Sequence, residues 1–118
     1  MIATRVQAEP FDTAAEIAAL SARRTDIGAV VTFTGFVRDI SHGVPVEAMT
    51  LDHYPAMTAK ALAAIADEAA ARWPLQGGIV IHRHGRLLPG DPIVLVAVAA
   101  AHRAAAFEAA AFLMDWLK

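Results

Sequence analysis

Along residues 2 to 8 (IATRVQA) apolar and polar side chains alternate, the period of a half-buried strand, and Pro10 closes the run. Thr13 and Glu16 follow at capping-box spacing, which predicts a helix whose modest stripe, Ile17 and Leu20, ends near Ala22 before Arg23, Arg24 and Asp26. Residues 28 to 37 (GAVVTFTGFV) are rich in β-branched and aromatic side chains, and residues 46 to 53 (VEAMTLDH) alternate. With RDISHGVP between them, these two runs predict a long hairpin with a polar tip.

Pro55 suits the first turn of a helix that continues to Trp73, with Leu62, Ile65, Ala69 and Trp73 at helical spacing, until Pro74 stops it. Residues 78 to 84 (GIVIHRH) and 92 to 100 (PIVLVAVAA) read as strands of a second hairpin. Leu88-Pro89-Gly90-Asp91 joins them, with proline and glycine placed for a type II turn. From about Ala104, Phe107, Ala111, Met114 and Leu117 mark the expected buried face of a last helix. The predicted order is β-α-β-β-α-β-β-α, an α+β domain whose antiparallel or mixed sheet carries helices on a face.

Composition narrows the function. The 118 residues fit a single domain, and a 57% hydrophobic content supplies a core at that length. A net charge of -2 lacks the basic excess that counterion release from nucleic acid exploits, so no nucleic-acid partner is expected. With no cysteine there is no disulfide, thiolate metal site or cysteine nucleophile, and any sulfur chemistry must borrow its sulfur. The N-terminus is too polar for a signal peptide and no apolar run suits a membrane helix, so the expected location is the cytoplasm, away from membranes.

Ala101-His102-Arg103 stands where a strand hands over to the final helix, so exposed N–H groups and the helix dipole meet a cation and an imidazole. That combination suits an anion; a surface arginine and a capping histidine are the alternative. Arg38, after FTGFV, is a second candidate for gripping a phosphate, and Gly35 within that strand suggests a bulge or a close backbone approach. Lys118 lies eleven residues after Phe107, about 20° of helical rotation, which puts its amine on the predicted apolar stripe. Desolvation there would make it a base, proton donor or nucleophile, whereas offsetting the helix dipole is the plainer role.

His82 and His84 share a strand face, with His53 as a conceivable third ligand, but no telling spacing supports a metal and none is expected. Asp52-His53-Tyr54 suggests acid–base work, although Asp52 more simply caps the helix at Pro55. Neither a phosphate-cradling loop nor a serine elbow nor a dinucleotide fingerprint occurs, so no cofactor is expected.

Taken together, GAVVTFTGFVRD, LDHYPAMTAKAL, IHRHGRLLPGD, AAAHRAAAFEA and FLMDWLK resemble the large, catalytic subunits of molybdopterin synthase, in the same order, over about residues 28 to 118. The resemblance implies a hammerhead-type α+β fold. It also implies sulfur transfer from a thiocarboxylated, ubiquitin-like small subunit to cyclic pyranopterin monophosphate, giving the molybdopterin dithiolene. By motif, Arg38, His102 and Arg103 would bind the pterin phosphate and neighbouring polar groups, Lys118 would be catalytic, and Phe33 and Met114 would line the pocket. A homodimer flanked by two small subunits, a heterotetramer, is implied as well. Family members continue beyond this lysine through a second active-site lysine in Pro-Phe-Trp-Lys to a basic tail, whereas this sequence stops at Lys118; such a tail is expected to order on partner binding. A non-catalytic oligomeric module binding an anionic metabolite is the competing reading.

One helix from Arg103 to Lys118 would separate those groups by about 22 Å, too far for one small substrate. Nothing between them is proline or glycine, so no sharp bend is expected. The expectation is a composite site, His102 and Arg103 of one protomer facing Lys118 of the other.

Overall fold

The computed structural model describes residues 1–41, 44–45, 49–51 and 55–117, with side chains described outside 40–56. Strands β1 (Ile2–Gln7), β2 (Ala29–Phe36), β6 (Leu75–Arg83) and β8 (Pro92–Ala100) build a four-stranded sheet in the order β1-β6-β8-β2. β1 runs parallel to β6, while β6 and β2 flank β8 antiparallel, which makes the sheet mixed. Short strands β3 (Ile40–Ser41) and β4 (Val44–Pro45) pair with each other, and β5 (Met49–Leu51) pairs with β7 (Gly85–Leu87). The helices are α1 (Thr13–Ser21), α2 (Pro55–Arg72) and α3 (Arg103–Leu117), so the fold is α+β.

The sheet is centred on β8, whose residues from Val94 to Ala100 are all buried. On one face Val80, Val96 and Val98 pack against Leu62, Ala66 and Ala69 of α2 and Ala109, Ala110 and Leu113 of α3. On the other, Ile79, Ile81, Leu95 and Ala97 are covered by Phe11 and by Leu20 of α1. Alanine at the helix contacts lets the backbones approach the sheet closely. The anticipated α2 stripe holds: Leu62 and Ala69 are buried, with Ile65 and Trp73 packed at the margin of the same core.

Three local expectations are corrected. The run 28 to 37 does not fold back on residues 46 to 53: β2 pairs with β8, and β5 with β7. Alternation specifies which face of a strand is buried but not its neighbour, and the wholly apolar β8 needs a strand on each side. Asp12, one residue ahead of the predicted Thr13, caps α1 by accepting a hydrogen bond from the Ala15 N–H at 3.1 Å. In α3 the fully buried residues are Ala106, Ala109, Ala110 and Leu113; of the expected stripe Met114 and Leu117 pack at the margin of the core, whereas Ala111 is exposed and Phe107 is 60% exposed. Side-chain size favoured the Phe107 stripe, but a helix lying close to a sheet turns its small residues inward.

Buried Arg83 ties distant segments together, its Nε and Nη2 donating to the Ala8 carbonyl and its Nη1 to the Pro92 carbonyl. The Leu88–Asp91 turn closes as expected for type II, with Gly90 at φ 90° and the Asp91 N–H donating to the Leu88 carbonyl at 2.9 Å.

The revised α3 face makes a stability prediction. Leu113→Ala should lose about 2–5 kcal/mol in urea unfolding, by removing a side chain from a closed core. Ala111→Ser on the exposed side should stay within about 0.5 kcal/mol. Equal losses would return the buried face to the other stripe.

Candidate functional site

Two depressions lie at opposite ends of α3 and β2. The first forms where β8 hands over to α3: Gly28, Ala101, His102, Arg103 and Ala104 surround about 350 Å³, with His102 and Arg103 exposed. Arg103 opens the helix, so the first-turn N–H groups and the positive end of the helix dipole face the same space as its guanidinium. The Gly28 N–H donates to the Ala100 carbonyl at 3.0 Å, and a Cβ on Gly28 would stand 2.0 Å from the Ala101 carbonyl oxygen. Only glycine permits that approach. Ahead of it, Arg24 makes paired hydrogen bonds to Asp26 at 2.9 and 2.7 Å and donates to the Gln76 carbonyl, fixing the loop. The hydrogen bond from Arg24 holds the Asp26 carboxyl below the usual carboxylate range. An imidazole, a guanidinium and a helix N-terminus facing one space suit an oxyanion such as a phosphate.

The second depression is an apolar groove of about 250 Å³ lined by Phe33, Gly35, Phe36, Met114 and Leu117, with His82 on its wall. Gly35 keeps it open and sits at the bulge between Gly35 and Phe36, as the strand glycine suggested. A Cβ there would lie 3.0 Å from Val94 Cγ1 and 3.3 Å from Phe33 Cε2. Beyond Phe36 the buried Val37 is pinned to the type II turn, its N–H donating to the Asp91 carbonyl and its carbonyl accepting from Gly90. Arg38 follows on this anchor, exposed at the groove end of β2.

Of the anticipated site residues, Phe33 and Met114 line one groove, and His102 and Arg103 line the other depression. The structure does not join these pairs within one chain, because α3 separates its ends by about 21 Å. Lys118 lies outside the described residues, as do His53 and the Asp52-His53-Tyr54 segment. Sharing a buried stripe with Phe107 and Ala111 no longer argues for a desolvated Lys118, since both residues are exposed. Leu117, just before it, does line the groove. Sequence reasoning missed Gly28, Phe36 and Leu117 as site residues and gave His82 only a weak metal role. Among the described residues no group of three His, Cys, Asp or Glu side chains is placed to hold a metal. No helix among them is long and apolar enough to cross a membrane.

The sequence model of the MoaE protein family matches residues 6–118. The chain belongs to that family. Molybdopterin synthase catalytic subunit from Cereibacter sphaeroides is 58% identical over 113 residues, covering 96% of this chain and 76% of the relative. Among solved structures, the molybdopterin biosynthesis MoaE protein from Burkholderia ambifaria superposes with a TM-score of 0.89 at 50% identity, covering 100% of this chain and 77% of that one. Molybdopterin synthase from Staphylococcus aureus gives a TM-score of 0.79 at 37% identity, covering 93% and 79%.

In this MoaE-family chain the tight Gly28–Ala101 contact is a test of how the cationic depression is held. Gly28→Ala should destabilise the fold by about 1–3 kcal/mol in thermal unfolding, because the added methyl meets backbone that must move. An unchanged melting temperature would mean that the Ala101 carbonyl yields freely.

Proposed function

We propose that the chain is the catalytic subunit of a molybdopterin synthase, a cytoplasmic sulfurtransferase of molybdenum-cofactor synthesis. It would move sulfur from the C-terminal thiocarboxylate of a small ubiquitin-like subunit onto cyclic pyranopterin monophosphate, giving the dithiolene of molybdopterin. Similarity along nearly the whole chain to catalytic subunits of that enzyme carries the reading. Two further features support it. The depression at His102 and Arg103 has the chemistry for a phosphate, already charged in the ground state. A chain without cysteine has no sulfur of its own to donate except methionine thioether, which suits a subunit that receives sulfur from a partner.

In this reading Arg38, His102 and Arg103 hold the anionic substrate, Phe33 and Met114 wall its pocket, and Lys118 moves a proton or holds the thiocarboxylate. The active assembly is a homodimer flanked by two small subunits. Because about 21 Å of helix separates His102 and Arg103 from the groove, each site combines the cationic depression of one protomer with the groove and Lys118 of the other.

The deciding experiment incubates the chain with thiocarboxylated small subunit and cyclic pyranopterin monophosphate and looks for dithiolene product. Stoichiometric binding without turnover would favour a non-catalytic binding module. Arg103→Ala should raise KM more than it lowers kcat, since it removes a ground-state contact. Unchanged substrate affinity would take Arg103 out of the site.

Lys118→Ala should remove most turnover while leaving the fold intact. Mixing the Arg103→Ala and Lys118→Ala proteins under subunit exchange should restore about half the normal activity per mixed dimer, because one site then carries both defects and the other neither. Verified mixed dimers that regain nothing would place both groups within one protomer.

A further inference from the structure

One imidazole interrupts the apolar sheet face on which α2 and α3 lie. Val80 of β6 is fully buried in the core beneath those helices, and His82, two residues on and half-buried, projects from the same face of the strand. The register carries that position across the sheet: His82 stands opposite Val94 of β8, and Val94 opposite Gly35 of β2. The three residues form one row of about 10 Å, two strand spacings, and share the groove with Met114 and Leu117 of α3. On its other side His82 stands opposite Val6 of β1, which packs against the same core. Among the described residues that line the groove, His82 alone carries a titratable group; the others are aliphatic, aromatic, methionine or glycine. A valine in its place would continue the row without the cost of desolvating a polar ring.

We propose that His82 is the general base of the groove, accepting the proton of the water that frees sulfur from its donor. This role rests on the sulfur-transfer reading above and adds a catalytic residue to it. A thiocarboxylate that bonds through sulfur to a carbon of the pterin becomes a thioester, so the sulfur stays acylated until water cleaves it. In that step water adds to the acyl carbon as its proton passes to the imidazole. The bond between acyl carbon and sulfur then breaks, its electron pair remains on sulfur as the pterin thiolate, and the small subunit leaves with an ordinary carboxyl group. The imidazolium returns its proton to solvent, so no oxidant or reductant is required. An imidazole suits the task because its neutral, proton-accepting form is populated near neutral pH, where a lysine amine is ordinarily a cation. Lys118, next in the chain after groove-lining Leu117, then serves as the cation that holds the thiocarboxylate.

The test follows the acylated intermediate by mass spectrometry during turnover with thiocarboxylated small subunit and cyclic pyranopterin monophosphate. Wild type should release product, whereas His82→Gln should accumulate the covalent adduct of pterin and small subunit. Its kcat should fall about 100-fold or more, with KM falling rather than rising, because the step after adduct formation becomes limiting. A side chain that only supports the fold would not trap that adduct. His82→Gly should recover turnover with added imidazole, at a rate that rises with basicity across a series of substituted imidazoles. Circular dichroism checks that both variants fold. Normal turnover by His82→Gln, lost turnover without adduct, or rescue independent of basicity would each overturn the assignment. Adduct accumulation in Lys118→Ala but not in His82→Gln would give the base to the lysine instead. Wild type that yields neither product nor adduct would refute sulfur transfer and the role of His82 with it, whereas active wild type beside an unimpaired variant would refute the role of His82 alone.

Discussion

Burial of β8 on both faces and along both edges is the constraint that organises the molecule. From Val94 to Ala100 the strand offers water no polar side chain, so every direction around it must be filled by protein. β6 and β2 satisfy its backbone on either side. The alanine-lined contacts of α2 and α3 fill one face, and Phe11 and Leu20 close the other. Burial of this apolar strand drives the fold, and backbone pairing makes it specific.

The path of the chain out of β8 then distributes the chemistry. The handover at Ala101 leaves a depression at the start of α3 beside Gly28, where the His102 imidazole and the Arg103 guanidinium join the first-turn N–H groups. α3 returns across the sheet antiparallel to β8 and therefore along β2, delivering Met114 and Leu117 to the end where the Gly35 bulge opens a groove. Cation and apolar wall thus belong to the same two elements but lie a helix length apart. Arg83 and the Leu88–Asp91 turn make the groove end firm: the first holds Pro92, and the second holds Val37, the residue before Arg38.

The proposed division of the site between protomers answers that separation. A rigid helix cannot bring its own ends together, whereas the two-fold dimer proposed above would reverse direction and set the start of one copy against the finish of the other. Catalysis would then depend on assembly. The proposed delivery of sulfur by a third polypeptide would fit that dependence, since the 118 residues include no cysteine.

Much of this was legible in the sequence because it is local. The α2 stripe from Leu62 to Trp73, the β8 run, the type II turn at Pro89-Gly90 and the position of His102-Arg103 at a strand-to-helix junction follow from periodicity and turn chemistry. The ordered motifs also identified the family. What only the tertiary structure decided is non-local: that β2 lies beside β8 instead of folding back on residues 46 to 53, and that α3 buries Ala106, Ala109, Ala110 and Leu113 while leaving Phe107 exposed. Alternation tells which side of a strand is buried, and hydrophobicity tells which residues favour burial. Neither specifies the neighbour or how closely it packs, and at close range a methyl group fits where a phenyl ring does not.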